Sequence, residues 1–157
     1  MKKYWKILLL CILIPLAVGV VAGAFTTEGM VQFQMIKKPL LAPPAWLFPI
    51  VWTILYIIMG SSSYLIYISE ATEEEKRKAF TIYGYQLLVN FLWPVFFFNF
   101  QWYGFSYLWL MFLWILVAIM IWQFSKSSKT AALLNIPYLL WLSYAGYLNL
   151  TIWMLNR

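Results

Sequence analysis

Residues 79–125 read AFTIYGYQLLVNFLWPVFFFNFQWYGFSYLWLMFLWILVAIMIWQFS, a run of 47 residues without one charged side chain. As a single α-helix this run would be about 70 Å long, because each residue adds about 1.5 Å. The hydrocarbon core of a bilayer is about 30 Å thick and is crossed by about 20 apolar residues. The run therefore predicts two membrane-spanning helices that turn back on each other near residues 99–104, at NFQWYG.

Three further runs lack charged residues and are each long enough for one span: 7–27, 39–69 and 130–156, with 21, 31 and 27 residues. The sequence thus predicts an all-α integral membrane protein with a single bundle of five transmembrane helices in one domain over residues 1–157. The predicted helices are 6–26, 45–68, 79–99, 103–124 and 130–155, and the longest connector is 27–44.

The composition excludes an ordinary soluble protein, because 64% of the residues are hydrophobic and only 10% are charged. The net charge of +6 comes from basic residues scattered over short connectors. This pattern indicates contact with anionic lipid headgroups and a defined topology, and we expect no nucleic-acid partner.

The residue types that build most catalytic centres are missing. The chain has no His and no Asp, its single thiol is Cys11, and its five carboxylates are all Glu outside the predicted helices. Zinc sites, Ser-His and Cys-His nucleophiles and paired-carboxylate chemistry therefore lack their usual groups. We expect no metal and no resident cofactor.

Lysine and arginine predict the orientation. Eight of them (Lys2, Lys3, Lys6, Lys76, Arg77, Lys78, Lys126 and Lys129) fall on the N-terminal side of the predicted bundle, and three (Lys37, Lys38 and Arg157) on the other. Basic residues favour the cytoplasm, so the N-terminus is predicted there, most simply in a bacterial cell membrane. The first helix, ending in Ala22-Gly23-Ala24, also has the pattern of a cleavable signal peptide.

Small local patterns predict how the helices begin and approach one another. Three prolines within 39–44 predict an extended, stiff path into the second helix. Thr72 and Glu75 form a capping-box pattern that opens a short turn or the third helix. Gly19 and Gly23 form a GxxxG pair that allows another helix to approach closely, although glycine is also common in membrane helices.

Polar and aromatic side chains share faces on three helices. The sets are Trp52, Tyr56 and Ser63 on the second helix, Gln86, Asn90, Trp93 and Phe97 on the third, and Tyr138, Trp141, Ala145 and Asn149 on the fifth. Small-molecule sites combine an apolar aromatic wall with a few polar groups, so these faces predict a pocket for a flat or lipid-like ligand. The alternative is that Gln86 and Asn149 only bridge helices. Interfacial placement explains a further set of tryptophans without a ligand: Trp5, Trp46, Trp102, Trp109 and Trp153.

Three motifs resemble one known family. Residues 43–60, PPAWLFPIVWTILYIIMG, closely resemble the signature of the TspO/translocator-protein family, the peripheral-type benzodiazepine receptors. Residues 86–98, QLLVNFLWPVFFF, resemble its third helix, and residues 137–141, PYLLW, followed by Ala145, Leu148 and Asn149, resemble its fifth. The motifs occur in the family's order and the likeness covers nearly the whole chain.

The resemblance implies a pocket between helices, closed by connector 27–44 as a lid, in a protein that is often a homodimer. It implies binding of porphyrins such as protoporphyrin IX and of benzodiazepine-type ligands. By position, the pocket residues would be Trp52, Asn90, Trp93, Trp141, Ala145 and Leu148, with Pro43, Pro44, Trp46, Tyr56 and Tyr138 near its mouth or wall. It also implies light- and oxygen-dependent breakdown of protoporphyrin, with Trp52 and Trp141 as the photoredox pair.

Two departures from the family pattern limit this inference. Animal members carry a cholesterol-recognition pattern of an apolar residue, Tyr and a basic residue at the end of the fifth helix. Residues 148–154 here read LNLTIWM, which argues against physiological cholesterol binding. Many members carry an acidic residue near the start of the fourth helix, whereas residues 110–112 here read LMF.

Three classes of function are compatible with this sequence. The first is a membrane receptor or sensor that binds tetrapyrroles and promotes their photo-oxidation. The second is a transporter of porphyrins or lipids, although transporters commonly show inverted repeats that five helices cannot supply. The third is a membrane scaffold that a ligand regulates.

Overall fold

The computed structural model describes residues 4–157, and the helices account for most of them. The helices are α1 Tyr4–Phe25, α2 Thr27–Phe33, α3 Leu47–Ile68, α4 Glu73–Pro94, α5 Tyr103–Ser127, α6 Lys129–Leu134 and α7 Ile136–Leu155. The helix α4 continues beyond Pro94 as a π-helical turn over Val95–Asn99.

Within residues 4–157, five spans are long and apolar enough to cross a membrane: α1, α3, α4 with its π turn, α5, and α6 with α7. The shortest has 22 residues, about 33 Å of helix against a hydrocarbon core of about 30 Å. The predicted fold class, an all-α membrane bundle of five helices, is confirmed. Lys2 and Lys3, which contribute to the predicted orientation, lie outside the described residues.

The third span begins at Glu73, six residues before the predicted start at 79. Thr72 is its N-cap: the Thr72 hydroxyl accepts from the Glu75 amide at 3.2 Å, and the Glu75 carboxylate accepts from the Thr72 amide at 3.0 Å. This capping box stabilises a charged first turn that extends beyond the apolar run. The predicted bounds 79–99 followed the apolar run and placed the start too late, whereas the capping-box pattern correctly indicated an opening of the third helix, one of its two alternatives.

The connector 27–44 is not extended throughout, because its first part forms α2. Gly29 permits this helix to lie against the π turn: a Cβ at Gly29 would come within 2.6 Å of the Phe98 carbonyl. The Asn99 amide also donates to the Phe25 carbonyl at 2.8 Å, which ties the end of α1 to the same turn. The path predicted as extended from the prolines is itself interrupted by a turn, because the Ala42 amide donates to the Pro39 carbonyl at 3.0 Å.

The helix pair α1 and α3 packs closely at two glycines. A Cβ at Gly60 would lie 2.5 Å from the Ile12 Cα, so the two backbones are nearly in contact. Gly19 lies against the ring of Tyr56, whereas a Cβ at Gly23 would meet nothing within 4 Å. Within the GxxxG pair, Gly19 therefore packs against α3 of the same chain, and Gly23 faces open space.

Buried side chains of α3, α4, α5 and α7 form the interior, and α5 packs against both α4 and α7. Pro94 has no amide hydrogen, so the α-helical bond to the Asn90 carbonyl cannot form. The chain passes into the wider π turn there, and Phe100 N donates to the Val95 carbonyl at 3.1 Å. Such turns frequently occur at functional sites, and this one directs Phe97 into the core.

Candidate functional site

A chain of polar side chains crosses the centre of the bundle. The Tyr56 hydroxyl donates to Asn90 Oδ1 at 2.9 Å, and Asn90 Nδ2 donates to the Tyr138 hydroxyl at 2.7 Å. The Tyr138 hydroxyl donates to Gln86 Oε1 at 3.0 Å, and Gln86 Nε2 lies 3.7 Å from the Met59 sulfur. Every member is buried, so these bonds replace water for groups that apolar surroundings would otherwise penalise.

A second polar cluster lies nearer the π turn. The Trp93 indole donates to Asn149 Oδ1 at 3.1 Å, and Asn149 Nδ2 donates to the Tyr103 carbonyl at 2.7 Å. The Trp93 ring also stacks on Phe97, with centroids 5.1 Å apart. Asn149 thus links α7 to both α4 and α5. It does serve as a helix bridge, which was the alternative interpretation, and so does Gln86 through its bond with Tyr138.

Trp52 and Trp141 occupy the gap between the first half of α3 and α7. The Trp52 ring lies 5.6 Å from the ring of Tyr56 and 6.2 Å from that of Tyr138. The Trp141 ring lies 5.9 Å from Phe48 and is half-buried. Its Nε1 is buried and has no hydrogen-bond partner in the described part of the chain. Trp141 therefore differs from Trp93, whose indole hydrogen is bonded.

The other predicted residues divide into two groups. Ala145 and Leu148 are buried on α7. Pro43 is half-buried, Pro44 is exposed, and Trp46 is 65% exposed just before α3 begins. The structure thus brings together the predicted residues on α3, α4 and α7. Pro43, Pro44 and Trp46 lie at the edge of this group.

Tyr144 in the last span and Asn156 directly after it hold the connector that follows α2. The Asn156 side chain accepts from Lys37 N at 3.0 Å and donates to the Lys37 carbonyl at 2.9 Å. The Tyr144 hydroxyl donates to the Leu41 carbonyl at 2.6 Å. At the other end, the Gln101 side chain donates to that of Gln32. These contacts fix both α2 and the segment after it.

A groove of about 500 Å³ lies elsewhere, between α1 and α4. Its lining is almost wholly apolar, and none of the predicted ligand residues contributes to it: Ala17, Val18, Val21, Gly84, Leu87, Leu88 and Phe91. Its shape suits lipid chains, but it offers no group that would orient a polar ligand. The indole and amide groups make the interior of α3, α4 and α7 the better candidate site.

The sequence interpretation missed the hydrogen-bond partner of Trp109 and two residues near Trp141. Trp109 is half-buried, and its indole donates to the Val89 carbonyl at 2.9 Å, so it joins α5 to α4. Phe48 and Tyr144 both contact the Trp141 ring. Tyr144 follows Trp141 by three residues, and that helical spacing was the available signal.

Comparisons with known proteins agree with this architecture. Residues 11–154 match the model of the TspO/MBR family. The chain belongs to this family. It is 37% identical over 157 residues to the tryptophan-rich protein TspO of Chlorobaculum tepidum, covering 99% of both chains. It is 32% identical to the tryptophan-rich sensory protein of Cereibacter sphaeroides, covering 85% of each chain. It is 31% identical to the translocator protein of Bos taurus, covering 92% of this chain and 87% of the relative.

Membership of the TspO/MBR family makes the chain an integral membrane protein with several transmembrane helices. The family match includes α3, α4 and α7, which carry the candidate site. The resemblance seen in the three sequence motifs is therefore confirmed at the level of the family.

Proposed function

We propose that this chain is a membrane receptor or sensor that binds tetrapyrroles, such as protoporphyrin IX, and benzodiazepine-type ligands between α3, α4 and α7. Family membership supports this, and one relative is named a sensory protein. In this proposal the site is lined by Trp52, Asn90, Trp93, Trp141, Ala145 and Leu148. Its wall or mouth is formed by Tyr56, Tyr138, Pro43, Pro44 and Trp46. The connector 27–44 is its lid.

The observation that carries the proposal is the buried Trp141 Nε1 without a partner. A buried donor that bonds nothing costs about 1–3 kcal/mol, so native proteins rarely keep one without a use. A porphyrin carboxylate or an amide carbonyl of a drug-like ligand offers the acceptor that this indole lacks. The flat rings of Trp52, Tyr138 and Phe48 beside it suit a planar aromatic molecule.

The proposed chemistry is light- and oxygen-dependent loss of the porphyrin. The pigment absorbs the light, O₂ is the oxidant that adds to the porphyrin ring, and the protein supplies position. The indoles of Trp52 and Trp141 are easily oxidised groups at the site. In this proposal the excited porphyrin takes one electron from an indole, O₂ bonds to the reduced ring, and the oxygenated ring returns the electron to the indole, so the net change is addition of O₂ to the porphyrin. No proton transfer by a carboxylate or imidazole is required, in keeping with a sequence that has no His and carries its five Glu outside the charge-free runs.

The test is the absorbance of bound protoporphyrin IX under illumination, with and without O₂. We expect loss only with both light and O₂, and slower loss in Trp52→Phe and Trp141→Phe at matched occupancy. Trp122→Phe is the control, because Trp122 is 60% exposed on the outer face of α5. Equal rates in all variants would show that the tryptophans only hold the pigment, and an absence of saturable binding would overturn the receptor itself.

We further propose an oligomeric state, a membrane and an orientation. The chain is a homodimer in a bacterial cell membrane, with its N-terminus in the cytoplasm. The eight basic residues on that side of the sequence against three on the other support the orientation. Mass measurement of the protein in lipid nanodiscs distinguishes a dimer from a monomer.

A further inference from the structure

One exposed face of α4 carries a basic group near its start and an apolar groove farther along. Arg77, Thr81, Gly84, Leu88 and Phe91 follow one another at steps of four, three, four and three residues. This spacing places them in a single stripe on the helix, here called the α4 stripe. Its two ends are 14 residues apart, about 21 Å along the helix axis. The stripe therefore runs from the charged first turns of α4 into the apolar part of the span.

The apolar part of the α4 stripe borders the groove of about 500 Å³ between α1 and α4. Gly84 in its lining is exposed, and a Cβ there would meet nothing within 4 Å. The α1 backbone instead lies against α3 at Gly60, where an added Cβ would be 2.5 Å from the Ile12 Cα. At the end away from the charged turns, Phe25 and Phe91 meet edge to face with centroids 6.4 Å apart. The groove is thus open along its side and bounded at one end, a shape that suits an extended hydrocarbon chain.

The basic part of the α4 stripe borders a second depression, of about 320 Å³, on the first turns of the helix. It is lined by Arg77, Lys78, Thr81, Ile82 and Tyr85, so two of its residues also belong to the stripe. Arg77 comes two residues before the charge-free run 79–125 begins. At this level its stem can lie along the apolar helix surface while the guanidinium reaches the lipid headgroups. A guanidinium suits a phosphate because it presents several donors in one plane.

The carboxylates in the first turn of α4 are already occupied. Each has a partner other than Arg77: Glu73 lies 4.0 Å from Lys76, Glu74 lies 2.6 Å from Lys78, and Glu75 accepts from the Thr72 amide at 3.0 Å. Within residues 4–157, no ion pair involves Arg77. Arg77 is also exposed, so its charge is available to an anion from outside the chain.

We propose that the α4 stripe binds one anionic phospholipid, with its phosphate at Arg77 and one acyl chain in the groove between α1 and α4. A basic group at the end of an apolar groove matches a molecule that joins an anionic group to a hydrocarbon chain. Basic pockets beside membrane helices bind lipid headgroups by the same attraction. The bound chain joins α1 to α4 where the protein leaves a gap. The site shares no lining residue with the proposed tetrapyrrole site and does not depend on it.

The headgroup part of the site is tested by charge. Native mass spectrometry of the detergent-solubilised protein, titrated separately with phosphatidylglycerol and phosphatidylcholine, gives the dissociation constant of the first bound lipid. We expect a roughly fivefold preference for phosphatidylglycerol, which corresponds to about 1 kcal/mol for one basic residue. Arg77→Gln should reduce the preference to about one, and Arg77→Lys should keep most of it. Lys126→Gln is the control, because Lys126 is exposed near the end of α5 and lies over the Trp122 ring.

The acyl-chain part of the site is tested by volume. Gly84→Leu places a side chain in the groove and displaces the lipid chain from the apolar surface that it would cover. We expect at least roughly fivefold weaker binding of both lipids, with the preference for phosphatidylglycerol retained. Gly23→Leu is the matched control, since Gly23 also faces open space but does not line the groove. It should change both dissociation constants by less than about twofold.

Four results would overturn the lipid site. Equal binding of the two lipids by the parent protein would refute the role of charge. A loss of preference in Lys126→Gln as large as in Arg77→Gln would show that diffuse surface charge attracts the lipid. Unchanged binding in Gly84→Leu would refute the groove as the acyl site. A dimer mass that Gly84→Leu converts to a monomer, with lipid binding unchanged, would show that the groove is a contact between two copies. No porphyrin is present in these measurements, so they are decided separately from the proposed function.

Discussion

Asn90 Nδ2 donates a hydrogen bond of 2.7 Å to the hydroxyl of Tyr138, which joins α4 to α7 at the centre of the bundle. The same amide accepts from Tyr56 through its oxygen, so one side chain connects three helices. Lipid tails are as apolar as leucine, and membrane helices therefore depend on packing and on such bonds for their association. The Asn90 amide both stabilises the bundle and fixes the aromatic rings that surround the candidate site.

The stability of the bundle should respond unequally to the loss of Tyr56, at one end of this network, and of Asn90, at its centre. Tyr56→Phe removes one bond without leaving Asn90 isolated, and we expect a loss of about 0.6 kcal/mol, the usual value within membranes. Asn90→Leu keeps the volume but leaves the Tyr56 hydroxyl buried without an acceptor, and we expect about 1–3 kcal/mol. Unfolding titrations in mixed micelles measure both, and equal losses would contradict the central role of Asn90.

Two interior tryptophans form a matched pair: the Trp93 indole is hydrogen-bonded, and the Trp141 indole is not. Trp141→Phe removes a buried donor that bonds nothing, so stability should not fall, while protoporphyrin affinity falls roughly 5- to 10-fold, or about 1–1.4 kcal/mol. Trp93→Phe removes the bond to Asn149 and should lower stability by about 1 kcal/mol. Thermal unfolding and equilibrium binding separate the two effects. A stability loss in Trp141→Phe as large as that in Trp93→Phe would contradict the assignment of the free indole.

Gly60 tests the close contact of α1 and α3, and Gly84 on α4 provides the control. In Gly60→Ala the added methyl would lie 2.5 Å from the Ile12 Cα, and because that atom is backbone the helices must separate. Overpacking of this kind costs about 1–3 kcal/mol. Gly84→Ala is the control, since its methyl would meet nothing within 4 Å, and alanine is favoured over glycine in a helix by up to about 1 kcal/mol. A Gly60→Ala protein as stable as the parent would refute this packing.

The sequence predicted the number of spans because the bilayer requires uninterrupted apolar length, which is a local property. It misplaced the start of the third span because the capping box at Thr72 extends the helix into the charged segment. It missed α2 because a helix of seven residues depends on contacts far along the chain, here between Gly29 and the Phe98 carbonyl. Polar patterns indicated which faces point inward, as the burial of Asn90 and Tyr138 shows.

The partners of individual side chains could not be predicted from those faces. Trp93 and Asn90 share a helical face, but one is bonded to Asn149 and the other to Tyr138. The partner that each of these side chains contacts depends on how the two helices are rotated and shifted along their axes relative to each other. The sequence periodicity specifies neither quantity. For the same reason Trp109 could not be distinguished from an interfacial tryptophan before its bond to Val89 was seen.

The orientation in the membrane can be tested with two single cysteines in a Cys11→Ser background. Lys38 is exposed on the connector whose Lys37 is bonded to Asn156, and Glu74 is exposed in the first turn of α4. Since α3 lies between them, the two positions are on opposite sides of the membrane in the five-span arrangement. In right-side-out vesicles, Lys38→Cys should react with a membrane-impermeant maleimide and Glu74→Cys only after permeabilisation. The reverse pattern would invert the predicted orientation, and labelling of both from one side would refute the span formed by α3.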